Sequence, residues 1–213
     1  MGIKLNLRKV NTAWVNVFER AADSEDKKTG KLIKGKYQVT VLMQPDHPQI
    51  DALYDTALEV VTEAIGTAAA EKWMKANYGV DHHADKCCVR DLAMRDNPIE
   101  DFEEGLYFRA TNNRQPVIMT SAKGEKQTEP DFNIDGKEIE GEQVYSGCVA
   151  NVSVELWWHK DWKNLCATIL GIKYMGEGKR FGGSSVVAST DDLEDDEEDE
   201  APRRERRRER RRR

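Results

Sequence analysis

The sequence predicts a mainly β body carrying one long helix. Three observations support that reading. Several segments alternate apolar and polar residues with the period of two of a half-buried strand. One stretch, residues 48–78, switches to spacings of three and four, the period of an amphipathic helix. No repeated strand–helix alternation points to a parallel sheet, which leaves a small Greek-key barrel or a sandwich.

Residues 4–18 read as a strand or strand pair, with Leu5, Leu7, Trp14 and Phe18 as its large apolar residues and a break at Asn11-Thr12. Residues 19–35 are rich in Lys and Asp, contain Gly30 and Gly35, and read as a loop. Residues 36–43, K-Y-Q-V-T-V-L-M, place Tyr37, Val39 and Val41 on one face and Lys36, Gln38, Thr40 and Leu42 on the other. Pro45 stops that strand. In the helix, Ile50, Leu53, Ala57, Leu58, Val61 and Ile65 recur on one stripe. Pro48 suits its first turn, Gly66 is a point of weakness or division, and Gly79 ends it.

Residues 80–104 hold the polar cluster D-H-H-A-D-K-C-C and an Asn97-Pro98 loop, without a clear period. Residues 106–111 alternate again, with Leu106, Phe108 and Ala110 opposed to Tyr107, Arg109 and Thr111. Residues 116–120 form a further short strand, and 121–141 a polar loop. Residues 144–183 then contain two strand-like runs around a polar turn, His159 to Asn164. In the first run, Val152, Val154, Leu156 and Trp158 share one face, while Asn151, Ser153, Glu155 and Trp157 share the other. Trp157 is the anomaly, because a large ring on a polar sheet face needs another layer or a ligand. Residues 184–190 read as a linker, and the charge run from Asp191 onward as disordered.

At 213 residues one domain is the default. No apolar run has transmembrane length, and the N-terminal residues lack the apolar core of a signal peptide. Cys87, Cys88, Cys148 and Cys166 form no disulfide framework and read as reduced thiols in a cytoplasm. The net charge of −6 conceals segregation. Residues 191–200 carry nine carboxylates, and residues 203–213 carry nine Arg and two Glu, so −9 and +7 leave −4 for the body. A mildly acidic body is compatible with nucleic-acid binding through a local basic stripe, but not with coating DNA by bulk charge.

Phosphate-loop, dinucleotide, nucleophile-elbow and zinc-protease motifs are absent. The run G-E-G-K-R-F-G-G at 176–183 leads into a linker rather than a helix, so it is not a phosphate loop. His82, His83, Cys87 and Cys88 are metal-loving types, but adjacent cysteines lack the spacing of a zinc knuckle or ribbon. Asp81, Asp85 and His82 would be the residues of a nuclease, but no nucleophile motif accompanies them. The expectation is therefore no catalytic residue, no metal and no cofactor.

The stronger signal is aromatic residues interleaved with basic ones. Tyr107 and Arg109 share a strand face. Trp157 lies on a polar face, and Trp162 sits in a turn among Lys160 and Lys163. Lys173, Lys179 and Arg180 follow, and Lys36 with Gln38 extends the set. Such sets bind single-stranded nucleic acid, rings stacking on bases and cations tracking phosphates. Trp158, Phe108 and Tyr37 share faces with aliphatic residues and read as core.

L-Y-F-R-A-T-N-N-R-Q-P-V at 106–117, V-Y-S-G-C-V-A-N-V-S-V at 144–154 and the G-E-G-K-R-F-G-G close resemble the single-stranded DNA-binding proteins of tailed bacteriophages. The resemblance covers about residues 1–200, and its most specific pieces are Y-S-G-C and K-R-F-G-G. It implies an OB-fold, a five-stranded Greek-key barrel, over residues 1–183, with a helical insertion at about 48–78 and a disordered linker and charged tail at 184–213. It further implies a non-enzymatic role in phage DNA replication, recombination and repair, protecting and extending single strands in the host cytoplasm. Replication or recombination enzymes would be partners through the charged tail. Tails of this kind generally end in an aromatic residue, whereas this one ends in an Arg run, Arg203 to Arg213. A homo-oligomer is compatible with this reading, and a membrane partner is not expected. The competing class is a structural or assembly protein of a phage particle, with the aromatic face as a subunit interface.

Overall fold

The computed structural model describes residues 2–26, 29–80, 86–99, 101–119, 126–127 and 144–181, all within one compact unit that ends at Gly182. The strands are β1 (Gly2–Asn16), β2 (Ser24–Glu25), β3 (Leu32–Ile33), β4 (Tyr37–Met43), β5 (Val89–Asp91), β6 (Leu106–Asn112), β7 (Val117–Met119), β8 (Lys126–Gln127), β9 (Val149–His159) and β10 (Asn164–Gly176). Two helices, α1 (Ile50–Ile65) and α2 (Thr67–Asn77), lie between β4 and β5. The main sheet has the order β5-β6-β4-β1-β9-β10-β7-β8, and β2 pairs with β3 in a separate hairpin. Every pairing is antiparallel except β10 with β7.

The sheet curls back on itself. β6 and β7 stand far apart in the strand order, yet only residues 113–116 separate them along the chain. Asn112, at the end of β6, donates from Nδ2 to the Ile169 carbonyl of β10 at 2.8 Å. The chain thus passes from the β4 side of the sheet to the β10 side within one short bend. The enclosed core contains Leu7, Val39, Val41, Phe108, Ala110, Val152, Val154, Leu156, Ile169 and Ile172. Helix α1 closes it with Leu53, Ala57, Val60 and Val61, a stripe at helical spacing. Helix α2 adds Ala70 and Met74, and its Trp73 meets Trp158 edge to face at 5.1 Å. Trp158 and Phe108 therefore pack as expected. Tyr37 is half-buried, with the Arg20 guanidinium 5.6 Å above its ring.

The expected single helix is two. Gly66 adopts φ 83° and ψ 154°, which interrupts the hydrogen-bond ladder and starts a new helix at Thr67. The N-terminal segment, read as a strand or strand pair, is one strand of 15 residues, β1. It tolerates Asn11-Thr12 because register shifts between Leu7 and Val10, and between Ala13 and Asn16, let it bend while pairing with both β4 and β9. The loop at 19–35 carries the small β2–β3 hairpin. The segment without a period, 86–105, contributes β5 and the 3₁₀ turn Leu92–Met94. Most of the loop at 121–141, the polar residues Asp81, His82, His83 and Asp85, and the linker and tail at 184–213 lie outside the described residues.

Candidate nucleic-acid interface

A groove of about 1120 Å³ crosses the outer side of β4 and β6. Its floor is Gln38, Thr40, Arg109 and Thr111, which the β4–β6 register sets opposite one another as Thr40–Arg109 and Gln38–Thr111. One wall is the first turn of β10, Asn164 to Ala167, with the β9–β10 turn carrying Trp162. The other end is Trp14 of β1. The segment 86–95 supplies the remaining wall. Leu165 donates to the Lys86 carbonyl at 2.8 Å and Cys88 donates to the Leu165 carbonyl at 3.0 Å, so this segment docks against β10.

Lys86, Arg90, Arg95 and Arg109 line the groove, against one carboxylate, Asp161. A chain of net negative charge thus concentrates cations in one cleft, which raises the local attraction for a polyanion. Lys36 is not among the groove's lining residues, but its charge opposes the rise in the pKa of the Cys166 thiol, which is.

Aromatic rings stand at both ends. Trp162 is 67% exposed and stacks on His159 at 4.4 Å with planes 8° apart. Lys163 closes the turn in a left-handed conformation, φ 51°, and Lys86 Nζ donates to the Trp162 carbonyl at 3.0 Å. At the other end, Trp14 is 41% exposed and also left-handed, φ 45°. It falls at the β1 bulge, which turns its ring outward. The Arg95 guanidinium lies 4.9 Å from the Trp14 ring centroid and 4.9 Å from that of Tyr107, between the two rings.

The predicted residues separate into groups. Arg109, Tyr107 and Trp162 all line this groove, and Lys36 does not. Tyr107 is only 8% exposed and packs among Leu42, Leu92 and Phe102, with Arg95 over its ring. Trp157 is half-buried outside the lining, opposite Cys166 in the ladder, with its Nε1 donating to Thr168 Oγ1 at 2.9 Å and its ring 5.6 Å from His159. Lys173 faces a second, smaller groove. Lys179 and Arg180 line neither. Lys179 pairs with Asp101 at 2.9 Å, and Arg180 lies 4.5 Å over the Tyr145 ring.

Those last contacts belong to a latch built from the two most specific sequence pieces. Tyr145 Oη accepts from the Gly178 N–H at 3.0 Å and donates to the Gly178 carbonyl at 3.1 Å. The Phe181 N–H donates to the Ser146 carbonyl at 2.9 Å, and the Phe181 ring meets Phe102 edge to face at 5.5 Å. Gly147 has φ 112°, and a side chain there would collide with the Lys179 backbone.

Three thiols, Cys87, Cys88 and Cys166, line the groove wall. Burial pushes the Cys87 thiol up to about 12, and the same cause raises Cys88 and Cys166. They are protonated, weak nucleophiles at neutral pH. Among the described residues no group of three or more His, Cys, Asp or Glu is arranged to hold a metal ion. Sequence reasoning missed Trp14, Lys86, Arg90 and Arg95 as groove residues. The first was hidden among strand apolar residues, and the others lay in the segment with no period.

A family model described as the single-stranded DNA-binding protein of Enterobacter phage Enc34 matches residues 3–202. The chain belongs to that family. Its members are DNA-binding proteins, not enzymes. The Enc34 protein solved in complex with single-stranded DNA shares 14% identity at a TM-score of 0.59, over 84% of this chain and 89% of that one. Its C-terminally truncated form shares 16% identity at 0.53, over 84% and 88%. The single-stranded DNA-binding protein gp2.5 of bacteriophage T7 aligns at 14% identity and 0.47, over 95% and 98%, too low a score to bear on the fold. No curated protein sequence matches the chain.

Proposed function

We propose that this chain binds single-stranded DNA, independently of sequence, in the groove across β4 and β6. The observation that carries the reading is the placement of four cations between two exposed tryptophans in an otherwise acidic chain. Rings stack on any base and cations neutralise any backbone, so the site has no means of reading sequence strongly. Membership of a family described as single-stranded DNA-binding, and the Enc34 protein's solved complex with single-stranded DNA, support it.

We read the body, residues 1–183, as an OB-fold. In that reading β1, β4, β6 with β7, β9 and β10 are its five strands, β6 and β7 being two halves of one bent strand. The parallel β7–β10 pair and the return of the sheet on itself support this. The groove then occupies the face of strands two and three beside the loop between strands four and five, where OB-folds hold oligonucleotides. Helices α1 and α2 are the insertion. Tyr107, Arg109 and Trp162 act in the groove with Trp14 and Arg95, and Lys36 and Trp157 flank it. In the cell such binding would protect and extend single strands during phage replication, recombination and repair in the host cytoplasm. The charged segment from residue 184 would be the contact for replication enzymes.

The test is a gel shift of equal-length single- and double-stranded oligonucleotides. The expected result is retention of the single strand at salt concentrations where the duplex runs free. Equal affinity for both would sink the reading and favour a subunit-interface role for the aromatic residues.

A further inference from the structure

The second groove, about 460 Å³, lies farther along β10 than the first. Residues 164–167 of β10 line the first groove and 170–173 the second. At about 3.3 Å per residue their centres are roughly 20 Å apart along one strand. Arg8 and Lys173 stand in the second groove with Asn6, Asn151 and Ser153, and Val117, 46% exposed, adds an apolar surface. It contains two cations and no carboxylate.

The surface between the grooves is not featureless. Trp162, His159 and Trp157 form a ladder of rings at 4.4 Å and 5.6 Å. The last is pinned to Thr168 of β10, which lies between the residues that line the two grooves. The ladder therefore starts in the first groove and leads along β9–β10 toward the second. On the same outward side, the register continues from the Trp157–Cys166 pair through Glu155–Thr168 to Ser153–Gly171 and Asn151–Lys173, and Lys4 of β1 stands opposite Glu155, the one carboxylate of this stretch. The bulge between Ile169 and Gly171 keeps this side outward while Ile172 and Tyr174 stay in the core.

We infer that the second groove is an extension of the nucleic-acid path, in which Arg8 and Lys173 hold backbone phosphates of a strand leaving the first groove over Trp157. This rests on the binding function proposed above. Cations beside amide and hydroxyl groups suit a phosphodiester backbone, and a half-exposed aliphatic floor suits sugars. The occupant is the same polymer rather than a separate ligand, because the ring ladder leads from the first groove toward the second along β9–β10.

The test compares the wild-type protein with Arg8→Gln/Lys173→Gln on oligo-dT of about 6 and about 20 nucleotides, one near the lower end of the range of OB-fold sites and one beyond its upper end. Glutamine keeps the stems and removes the charges. The short oligonucleotide is expected to bind both proteins alike. The long one is expected to bind the variant more weakly, with a salt slope shallower by about 1.4, two lost phosphate contacts at about 0.7 each. An unchanged long-oligonucleotide affinity and slope would overturn the extension and leave the first groove intact. Failure of the wild type to bind either length would overturn the first-groove reading itself. A thermal melt of the variant separates unfolding from lost contact. If the double variant melts early, Lys173→Gln alone is measured the same way, with a slope change of about 0.7 deciding.

Discussion

Trp14 holds a left-handed backbone, φ 45°, at a bulge, with its ring exposed and Arg95 against it. Strained non-glycine residues of this kind cost about 1–3 kcal/mol and persist where the surroundings over-determine them. Trp14 contributes little to the core, so its replacement separates binding from stability. Trp14→Ala is expected to weaken oligo-dT binding by about 1–3 kcal/mol, the worth of one stacked base. The melting temperature should hold, because alanine keeps the Cβ and with it the same backbone strain. Fluorescence titration beside a thermal melt checks both, and unchanged affinity with a large drop in melting temperature would place Trp14 among structural residues. Arg109 and Trp162 were legible in sequence because strand alternation and turn position are local signals. Trp14 was not, because only the pairing of β1 with two partners creates the bulge that re-aims it. Arg95 was not, because the 3₁₀ turn that presents it has no periodic signature.

At the scale of elements, the pieces of sequence with the clearest family likeness proved to be joinery. Y-S-G-C and G-E-G-K-R-F clasp each other, bringing the end of β10 back onto the chain before β9. Thr12 of β1 joins them, accepting the Gly147 N–H on its carbonyl at 2.6 Å and donating its hydroxyl to the Cys148 carbonyl at 2.9 Å. Gly147 is required twice over, by its positive φ and by the Lys179 backbone against it. Gly147→Ala is expected to destabilise the fold by about 2–4 kcal/mol, combining backbone strain with displacement of the latch. Chemical denaturation would measure it, and a loss below about 0.5 kcal/mol would show that the latch contributes little. The basic character of K-R in that run pointed sequence reasoning toward phosphates. The folded chain instead engages Lys179 with Asp101 and Arg180 with Tyr145. Charge and spacing could not distinguish those roles, because both partners are distant in sequence. The helix showed the opposite behaviour. Its period was plain, and Gly66 stood out as the point of division, but only its backbone angles show that the division is complete.

For the whole molecule, the organising fact is separation of charge and of tasks. The curled sheet and α1 hold the main core, and a second cluster around Leu42, Leu92, Phe102 and Tyr107 lies beside it. The groove is floored and walled by residues of both, and its cations come from β6 and from the segment 86–95. A ligand there meets a prebuilt surface whose main attraction is electrostatic, so affinity must fall steeply with salt while stacking persists. The measurement that tests this most directly is quenching of tryptophan fluorescence at increasing salt by oligo-dT of about 6 nucleotides, the length expected to engage the first groove alone. With Lys86, Arg90, Arg95 and Arg109 on phosphates, the logarithm of affinity is expected to fall against the logarithm of salt with a slope of about −3, at constant maximal quenching. Quenching that never appears, or an affinity indifferent to salt, would contradict the account.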